Sequence, residues 1–556
     1  MAPKTTPDVP TVQIIQEQLP VVGDNLLDLQ LFRPGTDSRL LIALLEWETP
    51  AGEQREVEHR LQVPQGRLVR YALPYRLEEA GIHRAALRLY DPERDTTIHA
   101  VEELRLFARP AWELSGDRSY YTVEDEIRFR LRRNRHGDTT ISATVELRRG
   151  VEVLDRVDIN MVGQEVTGAF AAYDLPEGRY WLTARWEDPV GGDDSLAVIC
   201  EKFAPAAREV KIDLFSQSLL VDGEPFFPIG LYWLRAKDLG PMRRLHFNSG
   251  DYYYKLRGEE VASLMDAAAV EGMQILLELT EYARREPEPD YRAIAALVKR
   301  YRQHPALLAW YLVDEPAETK MAPASALAMY ELIRELDPYH PVYLVNNRAH
   351  TYAAYSDASD ILAIDVYPIP NYSITQVGDY MEQARWTSLE RKPVWLIAQA
   401  FGGVEHWARS PTASELRNMV YQGLVGGAKG VLFYRYCQEN ERHIQPLALW
   451  REVQRLAAEL AELGPVLLQE EHSLEAQLAG AEIEVAIKEY NRDFYVFAVN
   501  VAEDPQRLDL RLEGLPPMGE AEVLYGQAAP TLANGRLAAE LEPLGTAVFR
   551  LQTAGI

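Results

Sequence analysis

An acidic pair, Asp314-Glu315, stands directly before Pro316 at the end of an apolar run, Leu307–Val313. A carboxylic acid placed there can protonate a leaving oxygen if burial and neighbouring charge raise its pKa. Repulsion from Asp314 would raise that of Glu315. Asp365 lies near the end of a second run, Ile361–Val366. Tyr367 follows two residues later, so both side chains point to one side of a strand. Other runs end in similar groups. Tyr232 and Trp233 follow Phe226–Leu231, Asp251 and Tyr252 follow Leu245–Ser249, and Glu281 and Tyr282 follow Gln274–Leu279. Val342–Val345 leads to Asn346 and Asn347, and Val394–Ala398 to Gln399, with Glu405 and Trp407 beyond. Gly430–Tyr434 brings Tyr434 and Tyr436, with Glu439 further on. Carboxylates, amides and aromatic rings suit a sugar, whose hydroxyls pair with the first two and whose faces stack on the third. One aromatic at a strand end packs as readily as it binds; the recurrence carries the reading. Arg and Lys are scarce at these ends, which disfavours phosphorylated substrates.

These residues need a scaffold that gathers the ends of eight strands. Amphipathic helical stretches at 259–271, 291–302, 324–336, 374–389 and 414–426 separate most of the runs, and 447–463 follows the last. Strands alternating with helices predict a parallel sheet with crossover connections. Eight such units at 209–465 match a (β/α)8 TIM barrel, whose active site lies at the C-terminal ends of its strands. A doubly wound open sheet would call for a phosphate loop or dinucleotide fingerprint, and neither motif occurs. Residues 1–110 and 111–208 read as two β-sandwich domains, with alternating runs such as Ala85–Tyr90 and Tyr180–Trp186. Residues 466–556 return to short strands and predict a C-terminal β-domain.

The chain has 556 residues and a formal net charge of −26. Such acidity repels phosphate backbones and anionic lipid, which excludes nucleic acid and membrane surfaces as expected partners. Cys200 and Cys437 form no CxxC pair or zinc spacing and fall in different expected domains. No HExxH or GxSxG occurs, and His246, His304 and His350 read as structural, so no metal or cofactor is expected. No apolar run reaches the length of a membrane span. The N-terminus lacks the apolar core of a signal peptide, which leaves a cytoplasmic location as the expectation.

Two stretches resemble a known group. Leu220-Val221-Asp222-Gly223-Glu224-Pro225-Phe226-Phe227-Pro228-Ile229-Gly230 is similar to the lead-in to the barrel of clan A glycoside hydrolases. His304-Pro305-Ala306-Leu307-Leu308-Ala309-Trp310-Tyr311-Leu312-Val313-Asp314-Glu315-Pro316 is similar to their fourth strand, which usually ends in Asn-Glu with the Glu as acid/base. The resemblance implies a glycosidase acting on carbohydrate, with Glu315 as proton donor. It also implies a second Glu at the end of strand seven as nucleophile. Gln399 stands there, and a neutral amide is too weak a nucleophile to form a glycosyl-enzyme. Three completions stay open. Asp365 could act with water at a wider separation and invert, with Glu281, Glu405 and Glu439 behind it. Asp314-Glu315 could work with a substrate 2-acetamido group, as the Asp-Glu pair of barrel hexosaminidases does. Or the barrel could bind sugar without cleaving it. Asp314, Glu315 and Asp365 are the expected catalytic residues. Trp233, Asp251, Tyr252, Tyr282, Asn346, Tyr367, Gln399, Trp407 and Tyr434 are the expected sugar contacts.

Overall fold

In the computed structural model, which describes residues 11–15, 20–32, 39–64, 67–134, 140–188, 192–252, 256–285, 288–404, 406–436, 444–470, 482–512 and 518–553, period-two burial defines the first strands. Leu27, Leu29 and Leu31 are buried on one strand, and Leu41, Ala43, Leu45 and Trp47 on another, with more exposed residues between. Strand side chains alternate between faces, so each strand gives one row to a core. The antiparallel sheets 11–15/23–32/68–77 and 54–63/39–48/81–91/96–108 share that core. A second pair of sheets follows, formed by 112–116, 126–133 and 165–171 and by 141–149, 152–161, 178–188 and 192–202. Trp112 of one meets Trp186 of the other, with ring centroids 4.5 Å apart.

The chain divides into two compact units, Met1–Gly116 with Glu124–Glu201, and Asp117–Val123 with Lys202–Ile556. The short segment Asp117–Val123 belongs to the second through specific contacts. The Tyr120 ring packs on Phe203 and Tyr339, at 5.7 and 5.8 Å between centroids. Lys211 Nζ donates to Thr122 Oγ1 at 2.7 Å.

Within the second unit, eight parallel strands close into the expected barrel. They run Ile229–Leu234, Ser249–Tyr252, Gln274–Glu278, Leu307–Asp314, Val342–Asn346, Ile361–Val366, Val394–Gln399 and Val431–Tyr434. Both faces are covered, which is why they read as unbroken apolar runs. On strand four Trp310 and Leu312 pack toward the helices, while Ala309 and Tyr311 fill the interior with Leu276, Tyr343 and Trp395. Gly250 allows strand two to close on strand one, since a Cβ there would lie 2.6 Å from the Leu231 carbonyl oxygen.

The first two strands begin later than the sequence suggests. Glu224–Phe226 belongs to a three-stranded meander with Val210–Asp213 and Ser218–Val221. Val210, Ile212 and Leu219 of this meander pack against the interior cluster. Val210 N donates to the Tyr339 carbonyl (3.0 Å), just before strand five, and Gln217 reaches the Glu390 carbonyl, just before strand seven. The meander therefore seals the end of the barrel where its strands start. Leu245 caps an unanticipated helix, Ala236–Arg244, and His246 takes a left-handed turn at φ 71°, so strand two cannot form until Ser249. Asn248 brackets strand one instead, accepting from Ile229 N and donating to the Phe227 carbonyl, both at 2.8 Å.

Helix Ala413–Val425 starts with a reciprocal cap. Glu415 N donates to Thr412 Oγ1 (3.2 Å), and Thr412 N donates to Glu415 Oε2 (2.7 Å). Asn418 on that helix donates to the Asn500 and Leu544 carbonyls at 2.8 and 3.1 Å, tying the barrel to the C-terminal sheets. Those sheets, 483–490/493–500/546–553/518–525 and 506–511/536–541/531–533, enclose a core of their own. An eight-strand parallel barrel thus lies between antiparallel sheets that precede and follow it in the chain. Among the described residues no helix is long and apolar enough to cross a membrane.

Candidate active site

Most strands end in a polar or aromatic residue that faces a cleft of about 690 Å³, while strands five and seven contribute Val345 and Ile397 to its lining. Leu276 is interior on strand three, so Glu278 two residues on also faces the cleft. By the same parity Ile397 is followed by Gln399. The cleft gathers Asp314, Glu315 and Asp365 from strands four and six. Trp233, Asp251, Tyr252, Tyr282, Tyr367, Trp407 and Tyr434 also line it, as does Glu281. Glu405 and Glu439 lie outside the described residues.

Two carboxyl groups meet directly. Glu315 and Asp365 are hydrogen-bonded side chain to side chain. Burial raises the Glu315 pKa and the charges of Asp314 and Glu318 add to the rise, while the bond from Asp365 opposes it. Burial, then the Glu315 charge, drives Asp365 well above the usual carboxylate range. Two touching carboxylates cannot both ionise cheaply, which disfavours the doubly charged form of the pair. Asp314 is raised by burial but held back by the Tyr311 hydroxyl, which donates to its Oδ1 at 2.6 Å, and by Arg284 at 3.7 Å. Glu315 adopts φ 42° and Trp233 φ 70°. Non-glycine residues rarely hold this left-handed conformation, and such positions gather at functional sites.

On the neighbouring strands Asp251 is almost wholly buried and its pKa lies well above normal, from burial first and then the Glu278 charge. Glu278 itself is pushed up to about 7 by burial and then by Asp314, against a hydrogen bond with Thr280. A wall of rings completes the site. Tyr367 stacks on Tyr434 at 5.7 Å, and Trp407 Nε1 donates to the Tyr367 carbonyl at 2.9 Å. The Arg435 guanidinium sits 4.6 Å from the Trp233 ring centroid.

Three features differ from the sequence expectation. Gln399 is fully buried and outside the lining. Its amide oxygen accepts from Ile369 N (2.9 Å) and its nitrogen donates to the Ile369 carbonyl (2.7 Å). Asn346 is also fully buried and turned away, bonded to Thr351 and to the Arg348 backbone at 3.0–3.1 Å. Arginines are not scarce, since Arg257, Arg284, Arg300 and Arg435 line the cleft from positions beyond or between the strand ends. Glu278 lies inside the apolar run of strand three and not in the loop after it, where the sequence expectation placed Glu281 and Tyr282. The two-residue step from the interior Leu276 was the available signal. Among the described residues no group of three or more His, Cys, Asp or Glu is placed to hold a metal ion.

Residues 231–395 match the family model described as glycosyl hydrolases family 2, TIM barrel domain. This part of the barrel is a family 2 glycosyl hydrolase domain. The match agrees with the clan A resemblance and ends four residues before Gln399. No curated protein matches the chain. Solved structures are similar at low identity. A putative glycoside hydrolase from Bacteroides vulgatus ATCC 8482 is 11% identical, covering 77% of this chain and 99% of that one, with a TM-score of 0.45. A GH2 β-galacturonidase from Eisenbergiella tayi bound to galacturonate is 15% identical over 79% and 90% of the two chains, with a TM-score of 0.36. A β-glucuronidase from Ruminococcus gnavus is 12% identical over 79% and 89%, again with a TM-score of 0.36.

Proposed function

We propose that this glycosyl hydrolase domain cleaves a glycosidic bond of a carbohydrate and that Glu315 protonates the leaving oxygen. The observation that carries the reading is the placement of Glu315 in the cleft at the end of strand four, where burial and the charge of Asp314 raise its pKa. A carboxyl whose pKa is raised by burial and neighbouring charge is the reagent that leaving-group departure requires. Asp365 orients Glu315 through their hydrogen bond. Their contact argues against Asp365 as the base of an inverting pair, which would stand roughly 6.5–9.5 Å from the acid. Tyr367, Trp407 and Trp233 supply ring surface for the sugar, and Arg435 supplies donors.

A panel of aryl glycosides, with wild type beside Glu315→Gln, tests the reading. Cleavage by the wild type and its loss in the variant are expected. Sugar binding with no cleavage by either protein would leave a binding barrel and end the hydrolase reading.

One observation favours a narrower second reading. The strand-seven amide is locked to the Ile369 backbone, while Tyr311 holds the Asp314 carboxyl beside Glu315. Asp314 could then steer a substrate 2-acetamido group while Glu315 donates the proton. That version requires 2-acetamido sugars to be cleaved and a thiazoline mimic to inhibit; indifference to both would remove it.

A further inference from the structure

We infer that the short helix after strand three aims the proton donor: Thr280 and Arg284 are positioning residues that clamp the Asp314 backbone and so fix the turn that carries Glu315. The inference rests on the hydrolase reading above, with Glu315 as the acid.

Strands three and four pair in register only as far as Glu278 and Tyr311. Leu279 N donates to the Tyr311 carbonyl at 2.8 Å, and the chain then bends into the helix Thr280–Ala283. Strand four runs on to Asp314 without that neighbour. Two side chains continue the ladder in its place. Thr280 Oγ1 accepts the Asp314 N–H at 3.0 Å, and Arg284 Nη2 donates to the Asp314 carbonyl. Glu278 takes the Thr280 hydroxyl hydrogen, which leaves the oxygen lone pairs for Asp314.

These bonds hold two successive peptide planes. Thr280 holds the plane between Val313 and Asp314 at its N–H. The plane between Asp314 and Glu315 is held at both ends, since Arg284 takes its oxygen while Glu315 N donates to the Val345 carbonyl of strand five at 3.1 Å. A peptide unit moves as one plane, so its tilt sets where the Glu315 side chain points. Glu315 has φ 42°, a conformation that a non-glycine residue keeps only where its surroundings impose it. An acid acts only within a narrow range of distance and direction from the leaving oxygen. Neither Thr280 nor Arg284 needs to touch the reacting atoms to control that range.

The experiment measures kcat and KM for wild type, Thr280→Val, Thr280→Ser, Arg284→Met and Glu315→Gln. The substrates are two aryl glycosides of one sugar, one with a poor and one with a highly activated leaving group, and thermal melts check folding. The activated group departs without help from an acid, so a residue that acts by aiming the acid matters only for the poor one. Thr280→Val and Arg284→Met should each lower kcat by about 10- to 100-fold on the poor substrate, with KM nearly constant, and by less than about threefold on the activated one. Thr280→Ser, which keeps the hydroxyl, should stay near wild type on both. Glu315→Gln should show the same split more strongly. If Thr280→Val does not fold, Arg284→Met decides alone by the same split, because the Arg284 side chain is 35% exposed. Folded variants that match wild type on the poor substrate, or that lose equally on both, overturn the assignment and leave the hydrolase reading intact. A wild type that cleaves no glycoside overturns both.

Discussion

The ends of barrel strands four and seven hold side chains in opposite conditions. At the first, Glu315 lines the cleft in a left-handed turn, with its pKa raised and one carboxyl partner. At the second, Gln399 is fully buried and its amide bonds the Ile369 N–H and C=O. Position in a barrel therefore does not by itself make a reagent. A side chain whose hydrogen-bonding capacity is spent on backbone is a fastener, and one with capacity left over can react.

The largest expected effect tests the reactive end. Glu315→Gln should lower kcat/KM by about 100- to 10,000-fold on a glycoside with a poor leaving group, the usual weight of a general acid. A near-normal rate there would remove the contrast altogether. The fastened end is tested by Gln399→Glu. A carboxylate cannot donate to the Ile369 carbonyl, so the variant should lose about 2–4 kcal/mol of stability and gain no activity, read by denaturant unfolding and the same assay. Increased turnover would show that the position is a dormant nucleophile.

A third measurement sharpens the electrostatics. Glu278 has a folded pKa raised to about 7 from an ordinary value of 4.5. Folding thus favours its protonated form. That contribution is complete below the unfolded pKa and is lost as pH rises through about 7. Glu278→Gln should therefore gain on the order of 1–3 kcal/mol relative to wild type between pH 4.5 and pH 8, seen in paired melts. The smallest effect belongs to Tyr311→Phe. It removes a hydrogen bond that lowers the Asp314 pKa, so that pKa should rise further while kcat changes only a few-fold.

The barrel was legible because strands buried on both faces appear as apolar runs at regular spacing, and because Asp314-Glu315-Pro316 marks one of their ends. Six helices fell close to their predicted spans for the same reason. The starts of strands one and two were not legible, because a turn at His246 and a paired edge at Glu224–Phe226 depend on neighbours distant in the chain. The state of Gln399 depends on Ile369, thirty residues away and on another strand's loop. The arginines reach the cleft from helices and loops, where periodicity says nothing about direction.

The meander that seals the lower end of the barrel sets the terms for the acids above it. On the proposed function, water, protons and sugar would enter at the cleft end of the barrel. A sugar filling it would cut Asp251, Glu278 and Asp365 off from bulk solvent. The protons present at that moment become a fixed inventory instead of a buffered supply. A turnover then begins with however many the floor holds, and only product departure resets the count.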